Sequence, residues 1–224
     1  MDPIAELAAA SLAFVGTHFA LSHPLRAPLV ARLGEKGFLP VYSLVAFATL
    51  GWMILAFRAA PTADLPGSGE IGWIASTLLT IPALLLFLGS LRNNPALPAP
   101  GAMAAAAREP TGVFAVTRHP MMWGFALWAL SHIVLWWSVR TLIVAAAVLV
   151  LALVGAHMQD RKKEALLGAE WTAWEAKTSY WPRWGKLPGA GLVLWAITLT
   201  LWLVVTWSHI HAAGVPAGVW RWVG

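Results

Sequence analysis

Seven histidines and no cysteine define what chemistry this chain can attempt. Without a thiol, disulfides, thiolate metal sites and cysteine nucleophiles are excluded together. The sequence has no Gly-rich phosphate loop, no His-Glu-x-x-His and no Ser/His/Asp arrangement of credible spacing. Imidazole is left as the group able to ligate a metal or carry a proton. His18 and His132 fall within apolar runs, while His23, His119 and His157 lie nearer run ends. His209 and His211 close the last run, and their spacing of two puts them on different helix faces. An unpaired polar group in hydrocarbon costs several kcal/mol, so an ionisable side chain inside a span marks a functional position by default.

A pair of imidazoles facing each other from two helices is what a six-coordinate haem requires, and the iron takes neutral imidazole. His18 and His132 are the pair that span position nominates, with Arg26 and Arg118 placed to meet the propionates. Interhelical hydrogen bonding by each His is the plainer alternative. Depth is an objection: His132 lies about 18 Å past Pro120 along a helix, roughly 8–10 Å deeper than His18. If tilt does not absorb that difference, His119 or a single-ligand site is favoured. His119 itself sits in Arg118-His119-Pro120, where Pro suits a first helical turn and the two basic groups flank the helix start. It is either an interfacial anchor or a contact for substrate or propionate. Gly124, Trp128 and His132 share a stripe, so Gly124 permits close helix approach and Trp128 could cover a cofactor. Asp160, Arg161 and Glu164 read as a solvated face, or as an anchor for a charged ligand opposite Arg118 and His119.

These residues need a scaffold, and composition names it. The chain has 224 residues, 59% hydrophobic and only 11% charged, with mean hydropathy +0.69. It reads as one all-α polytopic membrane domain over residues 1–224. Six apolar runs stand at roughly 4–23, 40–58, 71–91, 118–137, 140–157 and 189–208, each near the roughly 20 residues a spanning helix needs. Arg26, Arg32, Lys36, Arg92, Arg108, Arg118, Arg161, Lys162, Lys163, Lys177, Arg183 and Lys186 fall in loops on one side; Arg58, Arg140 and Arg221 fall on the other. The positive-inside rule makes the first side cytoplasmic and both termini periplasmic. The net charge of +5 thus sets orientation rather than nucleic-acid binding. Many of the fifteen Trp lie near run ends, where indoles anchor at headgroups. The N-terminus has no basic region, so no cleaved signal is expected.

The connections differ. Ala59–Glu70 is a short outer Pro/Gly turn, and Trp136–Arg140 is so tight that runs four and five must form a hairpin. Asn93–Pro110 is a loose loop on the basic side. Gln159–Lys177 has helical composition with Leu167, Trp171 and Trp174 on one stripe, and is expected to lie along the membrane surface until Pro182 ends it.

At these residues the chain resembles the NnrU family of bacterial inner-membrane proteins, to which 15-cis-zeta-carotene isomerase is similar. Four blocks carry the resemblance, over roughly residues 15–182. They are Thr17-His18-Phe19 to Arg26 with Arg32–Phe38 and Tyr42–Ala46; Gly112–Thr117 with Arg118-His119-Pro120, Trp123-Gly124 and Leu127–His132; Asp160–Lys163 with Gly168 and Trp171; and Thr178-Ser179 before Pro182. The resemblance implies haem b with axial ligands at His18 and His132, an apolar polyene or a nitrogen-oxide ligand, and a link to nitrite and nitric-oxide respiration. A respiratory oxidoreductase is the protein partner it suggests, and membrane lipid the surroundings. The isomerase branch carries Cys three residues before the second His; here the position is Ala129. Arg118-His119-Pro120 and Gly124, with Gly168, Trp171 and Trp174, are also similar to membrane methyltransferases that hold S-adenosylmethionine with a glutamate pair. The corresponding positions here are Asp160-Arg161, a base replacing the second acid. The expected function is therefore haem b binding in nitrogen-oxide metabolism, with haem-dependent polyene isomerisation or methyl transfer as alternatives.

Overall fold

Hydrocarbon offers no partner for backbone N–H and C=O, so each apolar run closes its own hydrogen bonds as a helix. A computed structural model describes residues 2–97 and 102–223 and contains only helices and connecting turns there. In chain order these are α1 Pro3–Ser22, α2 Arg26–Ala59, α3 Gly69–Gly89, α4 Ala102–Ala106, α5 Val113–Val116, α6 Pro120–Leu135, α7 Val139–Leu167, α8 Ala169–Lys177, a 3-10 turn at Trp184–Ala190, α9 Leu192–Ala213 and α10 Trp220–Val223. The chain is an all-α membrane bundle. α1, α2, α3, α7 and α9 are each long and apolar enough to cross a bilayer. Their outward faces carry exposed Leu44, Phe47, Leu55, Leu78, Val193 and Val204, which is what lipid contact requires and water would penalise.

Three boundaries depart from the sequence reading, each for a local reason. α2 begins at Arg26, not near residue 40, and bends at Gly34, whose φ of 68° and ψ of 166° suit glycine alone. The eight residues before that bend form a separate segment, and the membrane helix proper follows it. α6 has 16 residues, about 24 Å, which falls short of a roughly 30 Å core. It runs between α3 and α7, where protein rather than lipid meets much of its surface. The expected surface helix at Gln159–Lys177 is two pieces. α7 continues straight to Leu167, and at 29 residues it is about 43 Å long, so its last turns protrude beyond the hydrocarbon. Gly168, at φ 54°, then turns the chain into α8.

The tight hairpin forms as its length demands. Trp136 takes a left-handed conformation (φ 47°) and Ser138 caps α7 by accepting the Thr141 N–H. The outer connection docks beneath it: Gly67 and Ser68 N–H donate to the Trp136 and Leu135 carbonyls, and Asp64 accepts from the Val139 N–H at 2.8 Å.

Packing concentrates at the basic end. Leu85, Leu86, Val113, Phe114, Trp123, Ala126, Leu127, Trp171 and Trp174 form one buried cluster from α3, α5, α6 and α8. A smaller cluster of Leu7, Ala10, Met53, Ala56 and Ala60 joins α1 to α2. α1 packs on α2 and α7, α6 on α3 and α7, and α9 on α3. α6 approaches the α3 backbone closely at Gly124, where an added Cβ would stand 2.8 Å from the Ala83 carbonyl oxygen and 3.1 Å from the Phe87 nitrogen. Backbone cannot yield as a side-chain tip can. Gly124→Leu is therefore expected to lower stability by about 2–3 kcal/mol through overpacking, read as a fall in the melting temperature in detergent. Gly51→Ala, which meets nothing within 4 Å, should leave it unchanged or higher.

Candidate functional site

The site is assembled where the chain enters α6. After the single turn of α5, Thr117 is extended (φ −154°, ψ 152°) and His119 takes the N-cap position ahead of Pro120. Thr117 does not cap the helix. Its hydroxyl lies 2.8 Å from the Tyr180 carbonyl and 3.1 Å from that of Ser179. The Arg118 N–H donates to Ser179, the Arg183 N–H to Val116, and the Trp123 indole N–H to Tyr180. Residues 116–123 are thus laced to 179–183, which fixes the direction of the Arg118 and His119 side chains.

α7 supplies the counter-charge. Arg118 donates from Nε and Nη2 to the Asp160 carboxylate, at 3.0 and 2.7 Å to Oδ2. His119 Nε2 lies 2.7 Å from Asp160 Oδ1. The His119 side chain is fully buried, and Asp160 and Arg118 keep only 9% and 14% exposure. Burial raises the cost of charging Asp160, but the hydrogen bonds from His119 and Arg118 outweigh it and hold its pKa below the usual carboxylate value. An ionised Asp160 can only accept, so His119 carries its proton on Nε2. Its Nδ1 is buried with no hydrogen-bond partner, a deficit of about 1–3 kcal/mol.

α8 adds a second acid. Glu175 Oε1 lies 3.2 Å from Arg118 Nη2. Burial pushes its pKa up, Arg118 opposes, and Asp160 reinforces the rise. One guanidinium serving two carboxylates satisfies the nearer fully and the farther in part. Tyr180 completes the wall: its ring packs 5.6 Å from the His119 ring, and its hydroxyl donates to the Leu153 carbonyl.

The sequence named Arg118, His119 and Asp160 and did not name Glu175 or Tyr180. Glu175 stands four residues after Trp171, on the buried stripe of α8, and that spacing was its available signal. Tyr180 follows the Thr178-Ser179 block without any pattern that marks it.

The membrane histidines are placed differently. His18 Nδ1 bonds the Phe14 carbonyl at 2.7 Å, and its ring meets Phe14 and Tyr42. His132 Nδ1 bonds the Trp128 carbonyl at 2.8 Å, and the Trp128 indole lies against its ring at 4.4 Å. Each therefore keeps Nε2 free, as an axial ligand must. The two do not meet. α7 stands between α1 and α6, and the depths differ. Phe19 lies against Gly155, some five residues above Asp160, whereas His132 is twelve residues above Pro120, leaving about 10 Å between their levels. As joint ligands of one haem iron, His18 and His132 do not fit this arrangement. Arg26 pairs with Glu35 at 2.9 Å on the α1–α2 side, away from Arg118. Among the described residues no three His, Asp or Glu gather as a metal site.

The model of the NnrU protein family matches residues 6–217. No curated protein and no solved structure matches the chain.

The Asp160 cluster sets a pH dependence. A carboxylate whose folded pKa is depressed contributes stability fully above its unfolded pKa, near 3.9, and loses it as pH falls through the lower folded value. Asp160→Asn leaves Arg118 only the farther, half-satisfied Glu175 as a carboxylate partner and is expected to cost about 3 kcal/mol near neutral pH. The difference from wild type should begin to shrink in melts below about pH 4 and vanish only as the pH falls through the lower pKa of folded Asp160.

Proposed function

This chain belongs to the NnrU family, and we propose that it is a multi-pass membrane protein of nitrite and nitric-oxide metabolism whose working group is the His119 imidazole. The observation that supports this most is the orphaned Nδ1: a ring fixed by a buried carboxylate at one nitrogen and left open at the other. Proteins use that arrangement to hold a proton acceptor, or a ligand to a metal, at a set angle and basicity. Arg118 beside it suits an anionic nitrogen-oxide species, and Glu175, readier than an ordinary carboxylate to hold a proton, gives the centre a proton reserve. His119 is closed from solvent, so a ligand enters when α8 or residues 178–183 shift from α6.

Haem b, which the family resemblance implies, would supply an iron able to take nitric oxide. In this arrangement His18 and His132 are offered as alternative single ligands, one or the other holding the iron, and bis-histidine ligation within one chain is not part of the proposal. Polyene isomerisation draws no support, because Ala129 is fully buried in α6 and brings no sulfur. Methyl transfer has one observation in its favour: Glu175 supplies, beside Arg118, the second acid that Arg161 removed from the sequence pattern. Calorimetry with S-adenosylmethionine decides it. Binding that disappears in Arg118→Gln favours that reading, and silence with wild type dismisses it.

In a host lacking the protein, His119→Gln and Asp160→Asn are expected to fail in restoring nitrite-dependent growth, and His209→Ala to succeed. Full restoration by His119→Gln would sink the proposal. After haem-replete expression, any Soret band is expected to vanish in one of His18→Ala and His132→Ala, not in both. A low-spin six-coordinate spectrum lost equally in the two variants would instead restore the paired site.

A further inference from the structure

The opposite face of α7 meets the turn between α1 and α2, and there positive charge gathers with little acid to offset it. A cavity of about 350 Å³ opens between them, lined by Ser22, His23, Arg26, Met158, Arg161 and Lys162. Every ionisable group on that lining is basic. Arg26 is the one with a carboxylate partner, the exposed Glu35. Arg161, Lys162 and the neighbouring Lys163 make no ion pair among the described residues. Lys163, though 8% exposed, reaches only the Leu97 carbonyl at 3.5 Å. Of the two acids flanking Arg161–Lys163, Asp160 is turned to the other side and taken by Arg118 and His119, and Glu164 lies against Glu175 of α8. The crowding is felt: burial and Arg26 lower the Lys162 pKa, and burial and Lys162 lower that of His23.

Cations held together at such cost need an anion to repay it. We propose that this cavity binds a phosphate-type anion, presented by the headgroup of an anionic phospholipid. The chemistry fits, since an Arg fork, a Lys ammonium and a Ser hydroxyl together match tetrahedral phosphate oxygens. Position favours a lipid source. The cavity sits where α1 leaves the hydrocarbon and α7 emerges from it, so Met158 and Ala27 can meet the glycerol region while the basic groups meet the phosphate. Basic pockets between helices at this level are characteristic headgroup sites.

The test uses the full-length protein in nanodiscs of zwitterionic phosphatidylcholine, alone or with phosphatidylglycerol, and reads retained lipid by native mass spectrometry together with the melting temperature. Wild type is expected to retain phosphatidylglycerol selectively and to melt higher in its presence. At about a fivefold loss of affinity per neutralised cation, Arg161→Gln/Lys162→Gln should weaken retention roughly 25-fold. The charge-preserving Arg161→Lys/Lys162→Arg should retain it, as should Lys186→Gln, which lies outside the cavity. Inorganic phosphate is added to the zwitterionic discs as a second arm. Stabilisation by phosphate equal to that by phosphatidylglycerol, lost in the double Gln variant, keeps the anion site and overturns the lipid as its occupant. No selectivity for either anion, or equal selectivity in wild type and the double Gln variant, overturns the site.

Discussion

The buried pairing of Arg118 and His119 with Asp160 is the constraint on which the basic end of this bundle depends. It joins the start of α6 to the end of α7 where both helices pass from hydrocarbon to water, and through Glu175 it draws in α8. A pair so placed is neither screened like a surface salt bridge nor fully desolvated like one at the bilayer centre. Breaking it on one side leaves an uncompensated charge in a low-dielectric wall. The backbone hydrogen bonds linking 116–118 to 179–183 act as its frame, because they decide where Arg118 and His119 point before Asp160 is met.

Two positions of α6 serve this frame from opposite directions. Gly124, one turn into the helix, lets α6 approach the α3 backbone closely, and Leu85 and Leu86 share one buried cluster with Ala126 and Leu127. Pro120 starts the helix without needing the hydrogen bond that its nitrogen cannot make. Between them α6 is held by packing on one side and by charge on the other, and its short length follows. It need not reach both membrane surfaces if its neighbours cover it.

Much of this could be read from the chain alone. Hydropathy located the five long apolar helices and the shorter α6, the tight Trp136–Arg140 link required a hairpin, and Gly124 in a helical stripe foretold a close approach. Arg118, His119 and Asp160 were legible as a group only through the second of two readings, a charged-ligand anchor; the first, a solvated face, fails for Asp160, which is buried. What was not legible was which helices are neighbours. Six runs of similar hydropathy carry almost no information about lateral order, so nothing in the sequence said that α7 would stand between α1 and α6. Helix ends were hidden for a related reason. Gly34 looks like any glycine until its φ is known, and the charged tail of α7 reads equally well as a surface helix.

The histidine pair shows where such reasoning stops and why. Counting residues gives depth to within a turn, and the depth difference between His18 and His132 was visible from the start. Family resemblance nonetheless favoured pairing them, because two ligand-competent imidazoles in one bundle suggest one metal. The structure keeps each imidazole competent, with Nδ1 held by the preceding turn and Nε2 free, yet gives the two no common space. Competence is a local property of a helical turn and can be read from sequence. Convergence is a property of helix order and cannot. His119 met both requirements because its partner is a charge, and a buried charge in a membrane protein must find its opposite wherever the fold allows.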